Sequence, residues 1–335
     1  MRGKKIKDGS VEAALNRFLT EEQHLVLGFE KGKDGVNHRI FKNSLDHHAL
    51  LNPTFGANGA LYLRRLFSKG TKIILMLRPC EIRAYVELNK LSQIERQDII
   101  AVSIDCFGAV SSKDEASVSA EPAEIRDYFK TNDTMRFACK VCRERRAVVG
   151  DAGIRIDKDG LFWAIPYTEK GEEFLSLVEG EAEESTEEML IGASEKSGKF
   201  RVNMEEFSKD FSKCIMCKNC RNMCPVCYCI DCVFNGDEYL PKGDALLNKV
   251  FRTGSTSVPQ GKELFHLIRM YHVSQTCVGC GACEEACPQG IPLTKYFQGT
   301  SERLQGMFSY MSGRSFDEDI PYLTFEEDEL KEAED

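Results

Sequence analysis

The chain has 335 residues, of which 42% are hydrophobic and 29% charged, with a formal net charge of −9. That length corresponds to two or three domains at ~100–200 residues each, and the composition excludes wholesale disorder. No apolar run approaches the ~18 residues of a membrane-spanning helix, and the basic start MRGKKIKDGS leads into a charged amphipathic stretch rather than a signal-peptide core, so a cytoplasmic protein is expected.

In chain order, the first clear element is a buried strand over residues 71–77 (TKIILML), short, apolar and rich in β-branched side chains. A helix over 81–91 follows, with apolar positions Ile82, Tyr85, Val86 and Leu88. A second strand at 98–104 (DIIAVSI) precedes a helix at 121–130 with proline in its first turn. This alternation predicts an α/β domain with a mostly parallel sheet. Short strands are expected at 145–149, 154–157 and 161–167.

Residues 171–188 carry eight glutamates, and the bland reading of such a run is a solvent-facing helix and linker. Helical patterns at 204–217, 261–276 and 294–311 then predict a mainly α-helical second domain. The expected division is an α/β domain over 1–170, an acidic helical linker over 171–203, a helical domain over 204–316 and an acidic tail over 317–335. That tail holds ten acids and one base, so the rest of the chain is balanced, and the tail is expected to be solvated and disordered. A body without excess positive charge argues against nucleic acid as partner, because duplex binding rests on phosphate neutralisation.

Cysteine is the outlier, at fifteen residues. In a reducing compartment an odd number of thiols points to metal rather than to a disulfide framework. CIMCKNCRNMCP places Cys214, Cys217, Cys220 and Cys224 before Pro225, and CVGCGACEEACP places Cys277, Cys280, Cys283 and Cys287 before Pro288. Both read C-x2-C-x2-C-x3-C-P, the spacing of bacterial dicluster ferredoxins, in which three thiolates wrap one cubane and the fourth reaches the partner cluster. One [4Fe–4S] cluster is thus assigned to Cys214, Cys217, Cys220 and Cys287, and a second to Cys277, Cys280, Cys283 and Cys224. With 52 residues between Cys224 and Cys277, helices rather than a hairpin must bring the motifs together. Structural zinc also uses C-x2-C pairs, but it leaves the third C-x2 step and both prolines unexplained.

Cys80 stands directly after the first strand and Cys106 ends the second, so both project toward the crevice at the carboxyl ends of parallel strands. Cys139 and Cys142 add a C-x2-C pair from the next connection. Four thiols there suit a third [4Fe–4S] cluster. A buried apolar thiol, a redox pair or half of a zinc site are the other readings of the same residues.

The segments LRPCEI, DCFG, RFACKVC with GDAGIRI, and PYTEKGEEFLSLVEGE together resemble the β subunits of deazaflavin-reducing hydrogenases and formate dehydrogenases, over roughly residues 50–185. The resemblance implies one [4Fe–4S] cluster beside an FAD, with the proline–cysteine motif on Cys80, the strand-end position on Cys106 and the pair on Cys139 and Cys142. The family's Gly–Thr–Pro–Cys is replaced here by Leu77-Arg78-Pro79-Cys80, and the flavin-binding portion looks abbreviated, with about seventy residues between Cys142 and Cys214. The order of motifs also resembles the iron–sulfur subunits of sulfite and sulfur reductases.

Cys227, Cys229 and Cys232 are left over, either as another metal site with Asp231 or as thiols lining a cluster pocket. His47, His48, His266 and His272 read as packing or surface residues, and the FGANG turn at 55–59 as a common turn. No hydrolytic constellation is present. The expected function is an iron–sulfur electron-transfer subunit of an anaerobic oxidoreductase. Its partners, implied by resemblance, are a formate dehydrogenase or hydrogenase catalytic subunit and a heterodisulfide-reductase-like acceptor. The competing reading is an FAD-containing subunit that itself oxidises or reduces a deazaflavin or NAD(P)H.

Overall fold

The computed structural model describes residues 2–33, 35–63, 70–114, 118, 120–184, 189–192, 200, 203–235, 243–254 and 261–325. The first half contains strands β1 (Arg2–Ile6), β2 (His24–Gly32), β3 (Gly35–Phe41), β4 (His48–Ala49), β5 (Thr54–Phe55), β6 (Lys72–Leu77), β7 (Ile99–Ile104), β8 (Val110–Ser111), β9 (Ala152–Ile156), β10 (Phe162–Pro166) and β11 (Gly180–Glu184). Its helices are α1 (Ser10–Phe18), α2 (Ala60–Leu63), α3 (Pro79–Lys90), α4 (Pro122–Thr131), α5 (Phe137–Lys140) and α6 (Glu169–Leu177). The second half is helical among its described residues: α7 (Met204–Phe211), α8 (Asn219–Asn222), α9 (Gly243–Thr253), α10 (Lys262–Val273), α11 (Ala282–Glu285) and α12 (Leu293–Met307). Among the described residues no helix is long and apolar enough to cross a membrane.

The main sheet runs in the order β11-β1-β10-β9-β7-β6-β2-β3, with β4 added beside β2. It is mixed: β2, β6, β7 and β9 are parallel neighbours, whereas both edges are antiparallel. The expected mostly parallel sheet is therefore confined to the centre. β6 and β7 are buried on both faces, apart from Lys72 at the start of β6, as near-continuous apolar runs between layers must be. Residues 145–149 form no strand. They lead into β9, with Ala147 N–H donating to Asp105 at 2.7 Å.

The acidic run begins inside the amphipathic helix α6, which buries Phe174 and Leu175, and continues as β11, which pairs with β1. The residues expected as a linker thus start as part of the α/β half, while 185–188, 193–199 and 201–202 lie outside the described residues. The tail differs too. Ile320 is buried and Lys90 Nζ donates to the Glu318 carbonyl at 3.0 Å, so the start of the tail is held against the body, while 322–325 are exposed and 326–335 lie outside the described residues.

α3 links the halves. Arg78 is its N-cap, extended as a residue before proline must be, and the Glu81 carboxylate accepts from the Arg78 N–H at 3.0 Å. Ile82, Tyr85, Val86 and Leu88 join the core of the α/β half. Arg83 and Glu87 are buried because they face the second half: Arg83 donates to the Ser312 carbonyl at 2.8 Å, and Glu87 accepts from Tyr310 O–H and Gly313 N–H, both at 2.6 Å.

Candidate metal centres

The first ferredoxin motif leaves the end of α7 and wraps into α8. Its Cys214, Cys217 and Cys220 line a cavity of about 320 Å³ together with Cys287, the fourth cysteine of the other motif. The cradle is a backbone shape: Met216 and Lys218 are left-handed at φ 55° and 61°, matched in the second motif by Gly279 and Gly281, both at 70°. Left-handed turns point successive N–H groups inward, and Met216 N–H lies 3.4 Å from Cys214 Sγ. In the second motif Cys283 faces the charges of Cys277 and Cys280, and Cys224 faces Cys283 across the motifs.

Cys80, in the first turn of α3, and Cys106, just beyond β7, stand at the carboxyl ends of adjacent parallel strands. Cys139 lies in α5 and Cys142 follows it. All four line one cavity of about 390 Å³, with Phe55, Arg78 and, from the second half, Gly279 and Cys280. The FGANG turn supports this wall: Phe55 lies beneath the Arg78 and Arg136 guanidinium groups, and Gly59 N–H donates to Glu81 at 2.9 Å.

Among the described residues no three Cys, His, Asp or Glu side chains converge on a point suited to a single ion. The thiols instead surround open volumes. The donors fit iron–sulfur clusters in two further respects. Thiolate is the soft ligand that such clusters take. Arg78, buried at 3% exposure, stands 3.3 Å from Glu81, yet none of its guanidinium nitrogens has a hydrogen-bond partner, which leaves donors available to sulfide at the cavity wall.

Burial raises most of the thiols, Cys227 excepted, which its hydrogen bond from Cys224 lowers to about 6. Burial pushes Cys106 up to about 12, helped by the neighbouring charge of Cys139, and Cys220 up to about 11 against the pull of Arg269. His266 lies 3.3 Å from Cys214 Sγ, and burial, with the nearby Arg269 charge, lowers it to about 3, so the imidazole is neutral. Of the leftover thiols, Cys227 accepts a hydrogen bond from the Cys224 thiol and Cys232 packs against the second core, but Cys229 and Asp231 are exposed. His48 is buried beside Glu12, and the exposed His47 has a left-handed backbone.

The seam between the halves brings in residues that the sequence reading passed over. Arg136 donates to the Gly281 carbonyl at 2.9 Å and pairs with Glu285 at 3.1 Å, and Gln298 donates to the Val141 carbonyl at 3.2 Å. Arg269 carried a signal of its own: α10 buries Phe265, His266, Arg269, Met270 and Val273, so a charged residue sits within an apolar helical stripe.

A family of 4Fe–4S dicluster domains matches residues 210–291. Among curated proteins, the chain is 24% identical over 327 residues to "F420-dependent formate dehydrogenase subunit beta" of Methanocaldococcus jannaschii, covering 79% of each chain. It is 25% identical over 301 residues to "F420-dependent formate dehydrogenase 1 subunit beta" of Methanococcus maripaludis, covering 74% of each. The resemblance read from LRPCEI, DCFG and RFACKVC is borne out by these relatives, and the dicluster spacing by the domain match. The chain is an iron–sulfur electron-transfer protein similar to formate dehydrogenase β subunits.

Proposed function

From that premise we propose that this chain relays single electrons within a multi-subunit anaerobic oxidoreductase of the cytoplasm. Cys214, Cys217, Cys220 and Cys287 would hold one [4Fe–4S] cluster, Cys277, Cys280, Cys283 and Cys224 a second, and Cys80, Cys106, Cys139 and Cys142 a third. Each cluster, when bound, takes up and gives back one electron at a potential set by burial, charge and hydrogen bonds. The chain's own residues hold the thiols in place, keep water out and supply those hydrogen bonds. The observation that carries the relay is Cys280, which belongs to the second motif and also lines the cavity of Cys80, Cys106, Cys139 and Cys142. The partners proposed are a formate dehydrogenase or hydrogenase catalytic subunit and a heterodisulfide-reductase-like acceptor, on the strength of the relatives' names.

A second reading keeps FAD in this chain, which would itself oxidise or reduce a deazaflavin or NAD(P)H. An open pocket of about 170 Å³ beside Lys7, Gly9, Lys31 and His48 offers it a place. It shares Leu50 and Leu51 with a narrow crevice that reaches Arg78 and Cys106.

Iron and acid-labile sulfide analysis of the purified protein tests the three-cluster relay. About twelve irons per chain are expected, at four per cubane, and about four fewer in Cys80→Ser. About eight irons in the parent, or an unchanged count in the variant, would overturn the third assignment. Stoichiometric flavin released from the same preparation would favour the second reading.

A further inference from the structure

Five arginines lie buried near the thiols or the sheet, and three of them have a carboxylate beside them: Arg78 has Glu81 at 3.3 Å, Arg136 has Glu285 at 3.1 Å and Arg155 has Asp105 at 3.0 Å. Arg83 and Arg269 do not: Arg83 gives its donors to Ser312 and the Val278 carbonyl, whereas Arg269 turns to a thiol. Arg269 is 2% exposed and, among the described residues, has no ion-pair partner. Its guanidinium is stacked over the rings of Phe265 and Phe297, donates to Cys220 Sγ at 2.9 Å and to the Cys220 carbonyl at 3.1 Å, and leaves Nε without a partner.

Its surroundings belong to both ferredoxin motifs. Cys220 is the third thiol of the first set, whereas Cys224 and Cys283, whose charges also act on Arg269, belong to the second. A charge removed from water is costly unless an opposite charge compensates it. Here the anions on offer are thiolates: Cys220, Cys224 and Cys283 of the two sets, and Cys227, which belongs to neither set and also hydrogen-bonds to Arg269. Thiolate-bound clusters carry net negative charge, and each added electron deepens it. A fixed cation in a low-dielectric interior, with an N–H aimed at a ligand sulfur, therefore stabilises the reduced form of whatever those thiols hold.

We infer that Arg269 is the shared counter-cation of the two ferredoxin clusters and sets both of their reduction potentials. The inference rests on the assignment of Cys214, Cys217, Cys220 and Cys287 to one cluster and of Cys277, Cys280, Cys283 and Cys224 to the other. In the oxidised form each cubane accepts one electron from the external reductant, with no bond made or broken. Arginine serves better than lysine because its planar group can stack on both rings and bond to sulfur and carbonyl at once.

The test is a dithionite titration of the full, iron-loaded chain followed by electron paramagnetic resonance, with iron content measured on the same samples. Arg269→Gln removes the charge and keeps a donor. It should lower the midpoint of both clusters by at least tenfold in the reduction equilibrium, about 59 mV for a one-electron couple, at unchanged iron. Arg269→Lys should keep both within that margin. Unmoved potentials at full iron content, or movement of one cluster alone, would overturn the inference while leaving the ligand assignment intact. If the glutamine variant loses iron, the lysine variant decides: full iron with both midpoints held supports the inference, and a midpoint lowered tenfold overturns it. Loss of iron from both variants also overturns it, since the side chain is then a structural prop. A parent protein with fewer than eight irons would instead sink the underlying assignment.

Discussion

Gly281 and Lys218 occupy the same place in two copies of one motif, and both have left-handed backbones, yet only one is glycine. The difference lies in what each faces. A Cβ on Gly281 would collide with Ala138 Cβ and stand 2.9 Å from Arg136 Nη2, across the seam, whereas the Lys218 side chain has room to reach the Phe234 carbonyl. Gly281→Ala should therefore cost about 3 kcal/mol, from overpacking and a left-handed alanine together, and Lys218→Ala about 1 kcal/mol or less. Urea unfolding of the iron-loaded protein measures both, and equal shifts would refute the packing argument. The thiols themselves titrate in a direction that can be checked. Burial holds Cys106 near about 12 and Cys220 near about 11, so both are neutral in stripped protein at neutral pH. Ligands must be thiolates, so loading expels protons, and reconstitution with iron and sulfide should improve from about pH 7 to about pH 9. A yield indifferent to pH would remove these thiols from the ligand sets. The ferredoxin cysteines were legible because their spacing is local. Arg269 could be picked out as a charge in an apolar stripe, but its role could not, because that depends on thiols from two distant motifs.

At the scale of elements, β6, β7, α3 and α4 could be read from the chain because buried runs and amphipathic stripes are written in consecutive residues. β1 and β11 could not. They lie at the antiparallel edge of the sheet, where Lys5 stands opposite Glu181 and backbone hydrogen bonds suffice without an apolar run. The same glutamates that complete that edge made the segment look like a linker. The contact between α5 and α11 was also hidden, since neither short helix has a periodic pattern and Arg136 meets Glu285 only after folding. Both side chains of that pair are buried, so Arg136→Ala leaves the Glu285 carboxylate to the Ser111 hydroxyl and should cost about 3 kcal/mol. The single tryptophan, Trp163, lies in β10 of the first half, and most of the cluster absorbance, that of the two ferredoxin sets, reports on the second. In the parent the two signals should be lost at one denaturant concentration, and in Arg136→Ala at a lower one. A variant that unfolds like the parent would show that the pair contributes nothing to docking.

At the scale of the whole molecule, the two halves are joined through buried polar groups rather than through a bare apolar face: Arg83 with Ser312, Glu87 with Tyr310, Arg136 with Gly281. Such contacts are favourable only when every partner is present, which makes the joint specific in geometry. Gly279 and Cys280 close the cavity of Cys80, Cys106, Cys139 and Cys142 from the far side of that joint. During synthesis the amino-terminal half emerges first, with its thiol-lined hollow still missing a wall that lies almost 140 residues downstream of Cys142. A cofactor placed there early would meet solvent and oxidants, so sealing it has to wait until the last third of the polypeptide has left the ribosome and docked.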